Sequence, residues 1–477
     1  MISVKDVRSN DLNPNVVGFW ELVSQSLAGM APTCDVVAFM TAGAAFALAA
    51  LPLSYLWAFG LMFIEVNTLY HLSKDRVGAG GYYSYVSAGL GTGAALVTGF
   101  MVTFYQVFSM AGIPVYVGGV FLPGLAHRLG LGLPHWFWIV AVLFFIGVPW
   151  TLAMTGIRPS MKVLAITSLT EIVFLIGAAS IIISEAHTIH PLKPFNVGVT
   201  GYKGVARGMI FAITSFIGIG SHASLGEEAK GVQTQKGRLI GKAALVSMTL
   251  AGAALTLSAY ALTVGWGENS MGTFATAQAP GVTVFLLYLG PIGAVALVVL
   301  AINSAFTDSL ALLTSSSRVL YAIGRDELVH VSFSYVNQHR APGKSMSLLA
   351  GLAVVIGLGT GFWLGPVQAF NIMTTAVLFG LVSAHTLMNI SLMRLFRDEK
   401  KPTHAIQHLV LPLAATGLFW WVLYESVWPI NLPLSWSAVI WAVVLISVLA
   451  YVWSVRRRIG SDEGRQLGIP KNPPTTV

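Results

Sequence analysis

Two acids, Glu171 and Asp308, each with polar neighbours, carry chemistry in stretches otherwise apolar enough to lie in lipid. Glu171 falls about twelve residues into the apolar run at 160–184, so at 1.5 Å per residue it lies roughly 18 Å deep, near a bilayer midplane. Thr167 and Thr170 are expected to share its helical face. In the run at 285–317, Asn303 with Thr307 and Ser304 with Asp308 form i,i+4 pairs, a polar stripe along one face. Asp308 stands about 15 Å from the basic end at Arg318. An acid in hydrocarbon costs on the order of 2.5–3.5 kcal/mol on insertion scales, so each should face the bundle interior and hold a partner or a proton. The plainer alternative is a structural hydrogen bond to a neighbouring helix.

Two interruptions must position this chemistry. Phe211–Lys230 begins as membrane-grade helix and then places Gly218, Gly220, Ser221 and His222 where a simple span would stay apolar. Ala28-Gly29-Met30-Ala31-Pro32 interrupts the first apolar run in the same way, and proline removes a backbone donor there. Freed backbone groups at membrane depth need protein, water or ligand, so paired breaks point to a transporter-type binding site. Asp35 follows the first break and reads either as a partner for a cationic substrate or as the N-cap of the restarted helix.

The scaffold around them is read from composition. Of 477 residues 55% are hydrophobic and only 10% charged, against roughly 25% charged in soluble domains. The chain is expected to be an all-α polytopic membrane protein with spans near 17–41, 45–71, 93–122, 136–155, 160–184, 205–228, 240–266, 285–317, 346–364, 367–392, 408–427 and 435–455. The polar start, Met1–Val16, does not read as a cleavable signal. With the N-terminus inside, only Arg128, Lys193, Lys203 and Arg207 of the 27 Lys and Arg fall outside. That bias places both termini in the cytoplasm and accounts for the net charge of +8 without a nucleic-acid partner. Arg456-Arg457-Arg458 reads as an anchor to anionic headgroups of the lipid bilayer.

Other polar residues read more plainly. Spans 3 and 4 hold few ionisable groups and are expected to be scaffold, with Trp136, Trp138 and Trp150 as packing or interface aromatics. Glu65 and Glu227-Glu228 lie near inner span ends and should snorkel or pair with nearby Lys and Arg. His385 reads as a packing residue; His222 gains interest from its place at the break. Cys34 is the only cysteine, which excludes an intramolecular disulfide and a thiolate cluster. The eleven His have no ligand spacing such as H-E-x-x-H, so neither an enzyme nor a resident metal or cofactor is expected.

Three motifs now acquire a common meaning. Phe216-x-Gly218-Ile219-Gly220 with Leu225-Gly226-Glu227-Glu228-Ala229-Lys230, the loop Ala79-Gly80-Gly81-Tyr82-Tyr83-Ser84-Tyr85, and Ser317-Arg318-Val319-Leu320-Tyr321-Ala322-Ile323-Gly324-Arg325-Asp326 occur in order. Together they resemble the amino acid, polyamine and organocation permeases, whose bacterial members have the leucine-transporter fold. The resemblance implies a five-plus-five inverted repeat with broken first and sixth helices. It divides the chain into a cytoplasmic segment 1–16, a ten-helix core 17–392, two peripheral helices 393–455, and a tail 456–477 whose polar, Pro-rich composition suggests disorder.

It also implies site residues. A substrate carboxylate would meet amides of Ala28, Gly29, Met30, Ala31 and Pro32's segment, and an amino group would meet carbonyls of Phe216, Ile217 and Gly218, with Ile219, Gly220 and His222 adjoining. Ile219 stands where many relatives carry a Phe, which leaves the gate unassigned. Some relatives carry a span 5 lysine at the position that Glu171 occupies here, so Glu171 with Ser304, Thr307 and Asp308 becomes a candidate coupling set for sodium or protons. The expected function is secondary active transport of amino acids or related amines across the plasma (inner) membrane. An exchanger shares every motif, and a transporter-like sensor or a channel is more distant, since no filter-like repeat is present.

Overall fold

A computed structural model describes residues 11–186, 188, 190–399, 404–430, 433–460 and 467–468. Among them the regular structure is helical, and an isolated Val17–Ala229 bridge is the one strand-like pairing. Eleven helical stretches are long and apolar enough to cross a membrane. The first, Phe19–Lys74, has 56 residues. At 1.5 Å per residue that is nearly three times what a hydrocarbon core needs, and the chain reverses within it at Leu48, so it contains two crossings, which brings the number to the expected twelve. The protein is a multi-pass membrane protein.

The first crossing comprises α1 (Phe19–Ala28), α2 (Pro32–Cys34), a π-helical turn at Asp35–Phe39 and α3 (Met40–Ala47). The chain reverses at Leu48, whose φ is 47°, into α4 (Leu51–Asp75). Then follow α5 (Tyr82–Tyr116), α6 (Leu122–Arg128), α7 (Phe137–Met154) and α8 (Ile157–Glu185), completing spans 3 to 5. The sixth crossing is α9 (Gly201–Thr214) and a 3₁₀ segment, Ile217–Leu225. Beyond it lie α10 (Gln233–Trp266), α11 (Met271–Phe274), α12 (Pro280–Arg325), α13 (Gly343–Leu364), α14 (Pro366–Glu399), α15 (Leu411–Val427) and α16 (Trp436–Gly460).

The packing has the symmetry of two exchanged halves. Span 2 (α4) packs on span 7 (α10), span 3 (α5) on span 10 (α14), and span 5 (α8) on span 8 (α12). Exchanging spans 1–5 with 6–10 maps the first pair onto itself and the other two onto each other. Spans 3 and 8 also share a local device. Each begins after a residue with positive φ (Gly81, 52°; Ala279, 48°) and bends at a glycine that only its missing Cβ allows, Gly91 at φ 79° and Gly290 at φ 67°. Both helices start earlier than hydropathy suggests, at residues 82 and 280, with Tyr82-Tyr83-Ser84-Tyr85 and Pro280-Gly281-Val282-Thr283 as their first turns.

One end of the bundle gathers all three sequence motifs. Glu228 and Arg318 form a buried bidentate pair at 2.5 and 3.1 Å, and Arg318 also donates to the Thr314 carbonyl. Glu227 holds Arg325 at 2.7 and 3.0 Å and accepts the Ala79 amide at 2.9 Å. Tyr83 donates to Asp326. The Glu228 carbonyl accepts the amides of Val16 and Val17, and the Lys230 amide donates to the Val17 carbonyl. The start of the first span is thereby stitched to the end of the sixth. Most of the expected tail, 456–477, lies outside the described residues.

Candidate functional site

The first break forms where Pro32 cannot donate a helical hydrogen bond. Ala31 takes the left-handed conformation, φ 46° and ψ 57°, immediately before it. The sixth break comes at Ser215-Phe216, where α9 gives way to the 3₁₀ segment. The two breaks touch backbone to backbone. A Cβ on Gly218 would lie 2.4 Å from the Gly29 carbonyl carbon and 2.6 Å from the Met30 nitrogen, so only glycine permits this approach.

Beside this contact is a cavity of about 10 Å³, room for roughly one water. Its wall includes Phe39 from the first span, Phe108 and Ser109 from α5, Ile217 from the sixth, and Phe370 and Thr374 from α14. Phe39 and Phe370 meet edge to face at 5.1 Å, and Tyr116 packs on Phe370 at 4.7 Å. Beyond Tyr116 a wider vestibule of about 360 Å³ opens past Val37, Thr41, Gln278 and Asn371. The aromatic trio therefore stands between this vestibule and the small, mostly apolar chamber. Sequence reasoning missed it: spans 3 and 10 bring no ionisable residue to the chamber, and span 3 is one of its walls where scaffold was expected.

The candidate residues separate into distinct environments. The Gly29, Met30 and Ala31 amides are engaged by turn carbonyls of residues 25 to 28. Next along, the Thr33 amide faces the Glu171 carboxylate at 3.4 Å, and the Thr33 hydroxyl donates to it at 3.1 Å. Asn303 donates to the other Glu171 oxygen at 2.7 Å. Glu171 thus caps the restarted half of the first span and bridges it to α12. Thr307 bonds back to the Asn303 carbonyl, and Ser304 and Asp308 are buried beside this bridge. Asn303 and Thr33 are additions to the expected coupling set, and Asn303 was visible as one member of the polar stripe.

Asp35 is no N-cap. The helix restarts at Pro32, Ala31 holds the cap position, and Asp35 sits a turn further in with helical φ and ψ. It is buried within electrostatic reach of Asp308 and Glu171 and close to Ser215. Among the described residues no hydrogen-bond donor engages the Asp308 carboxylate, and Ser215 approaches that of Asp35. Among the described residues, none of the three acids forms an ion pair with Lys or Arg.

Other expectations change with the packing. His222 directs both ring nitrogens at protein, Nδ1 to Ser26 Oγ at 2.5 Å and Nε2 to the Ile240 carbonyl at 3.0 Å, and it does not line the chamber. Ile219 and Gly220 also lie away from the chamber; a Cβ on Gly220 would strike the Tyr82 hydroxyl. Glu65 pairs with His385 at 2.8 Å and Asn389 at 2.7 Å, where Lys or Arg was expected, because α14 brings those side chains against α4. Thr170 points outward while Ser168 and Glu171 are buried, since 170 and 171 are successive residues about 100° apart on a helix. Cys34 is buried, with its thiol on the Ala301 carbonyl, as a small packing residue.

A bundle of crossing helices in which two broken spans meet backbone to backbone beside a small, mostly apolar chamber has the architecture of a permease-type membrane protein. The model of the amino acid permease family matches residues 21–452, nearly the whole chain, and the protein belongs to that family, a class of transporters rather than enzymes. Among characterised proteins it is similar to the branched-chain amino acid permease of Lactococcus lactis subsp. cremoris (strain MG1363), 25% identical over 314 residues. That match spans 58% of this chain and 62% of the relative.

Proposed function

We propose that the protein is a secondary active transporter that moves amino acids across the plasma membrane by alternating access around the Gly29–Gly218 contact. The observation that carries this reading is the position of the apolar chamber. Thr214 and Ile217 line it from either side of the sixth-span break and Phe39 from the first span, next to the Gly29–Gly218 contact, where further unwinding of the two breaks would free amides for a carboxylate and carbonyls for an ammonium group. Its Phe and Ile lining favours an aliphatic side chain, in keeping with the relative named above. The chamber must widen to admit such a side chain, so the described state is closed around its centre. The test is uptake of labelled leucine, isoleucine and valine into proteoliposomes, competed by arginine and glutamate. Saturable uptake competed by aliphatic amino acids alone is expected; equal competition by arginine would reject the aliphatic reading.

Coupling is assigned to Glu171, Asp35 and Asp308. Three buried acids without a Lys or Arg partner among the described residues need protons or a cation to be stable in a low-dielectric interior. The exchange alternative differs in requiring an amino acid inside the vesicle. Uptake into empty vesicles driven by a proton or sodium gradient supports symport.

A further inference from the structure

The face that carries the amino-terminal segment has a second concavity, of about 530 Å³, well apart from the central chamber. Its volume falls within the range of roughly 300–1,000 Å³ typical of small-molecule sites. Arg158 and Lys162 line it from the first turns of α8, where i,i+4 spacing places both on one face. Lys230 lines it from the end of the sixth crossing. Val17 and Glu21 supply the wall on the side of the first span. All three cations are exposed, and among the described residues none makes an ion pair or a side-chain hydrogen bond. Glu21 is the single acid in the lining, so the concavity keeps an excess of two positive charges.

A general preference for cations on one membrane face explains why such residues are present. It does not explain why three of them, from two distant parts of the chain, surround one hollow. We propose that this hollow binds a phosphate-bearing anion, held by Arg158, Lys162 and Lys230. Guanidinium and ammonium groups are the side chains that recognise phosphate, Arg in bidentate fashion and Lys as a point charge. The phosphate belongs either to an anionic lipid headgroup of the adjoining leaflet or to a soluble phosphate species.

The location gives the site a consequence. Lys230 is tied through its amide to Val17, and Val17 leads directly into α1. An anion bridging Lys230 to α8 clamps the start of the first span to the fifth. In a transporter that opens this face by moving α1, the anion stabilises the closed state. That consequence rests on the transport reading above, whereas binding itself does not.

The test uses the full-length protein purified in neutral detergent. Dioctanoyl phosphatidylglycerol, dioctanoyl phosphatidylcholine and inorganic phosphate are titrated separately, with the melting temperature as readout. Phosphatidylglycerol is expected to raise the melting temperature of the wild type and of the control R238Q/K242Q, an exposed cation pair on α10. In R158Q/K162Q the half-saturating concentration should rise about fivefold for each charge removed, and R158K/K162R should restore it. The same loss with inorganic phosphate assigns the site to a soluble anion. Identical titrations for wild type and R158Q/K162Q, or phosphatidylcholine equal to phosphatidylglycerol, would overturn the proposal. None of these readouts requires transport, so failure of the transport reading leaves the binding result interpretable.

Discussion

Glu171 on α8 accepts both the amide and the hydroxyl of Thr33, the first residue after Pro32 in the restarted half of the first span. The carboxylate therefore sits where the partial positive charge of a helix start is concentrated. Its second oxygen is held by Asn303 of α12. One side chain thus joins the broken span to two helices that each belong to a different half of the repeat. Glu171→Gln keeps the shape and removes the charge. Gradient-driven uptake is expected to fall about 10- to 100-fold, the magnitude of one charge-assisted hydrogen bond, while amino acid binding measured by thermal shift persists. Unchanged dependence on pH and sodium in the variant would remove Glu171 from coupling.

The Gly29–Gly218 contact makes a second prediction. A methyl group on Gly218 has no space, with backbone atoms of Gly29 and Met30 under 3 Å away. Gly218→Ala should destabilise the fold by about 1–3 kcal/mol, as overpacking does, and should abolish uptake because the two breaks are forced apart. Gly60→Ala, at a position with open space around it, is the matched control and should behave as wild type.

The Glu228–Arg318 pair makes a third. Both side chains are buried, at 0% and 1% exposure, so removal of one leaves the other uncompensated. Glu228→Ala should cost about 3–5 kcal/mol in denaturant titrations, whereas the double change Glu228→Met with Arg318→Met should cost much less. A double variant as unstable as the single one would mean that the pair contributes through geometry at the Val16–Val17 stitch and not through charge.

The chamber lining makes a fourth. Phe108→Ala removes an aromatic wall and should shift preference from leucine toward phenylalanine and tryptophan, by about 10- to 200-fold in relative kcat/KM per pocket-sized change. Competition uptake with the larger amino acids reads this directly. Retention of the leucine preference would place the substrate side chain elsewhere.

Much of this protein is legible along the chain. Long apolar runs determine the crossings, because lipid offers no partner for an open backbone and only a helix satisfies every amide within one segment. Pro32 and the glycines near 218 determine the breaks by removing donors and side chains from the positions concerned. The ordered motifs determine the family. Contacts between remote segments are another matter. That Glu171 meets Thr33, that Glu65 meets His385, and that Phe39, Tyr116 and Phe370 pack together beside the chamber follow from how α5, α8, α12 and α14 cross. Periodicity tells which face of a helix is buried but not which neighbour lies against it. The partners of the buried charges, and the aromatic contacts beside the chamber, were decided only when the tertiary structure packed two halves of the chain face to face.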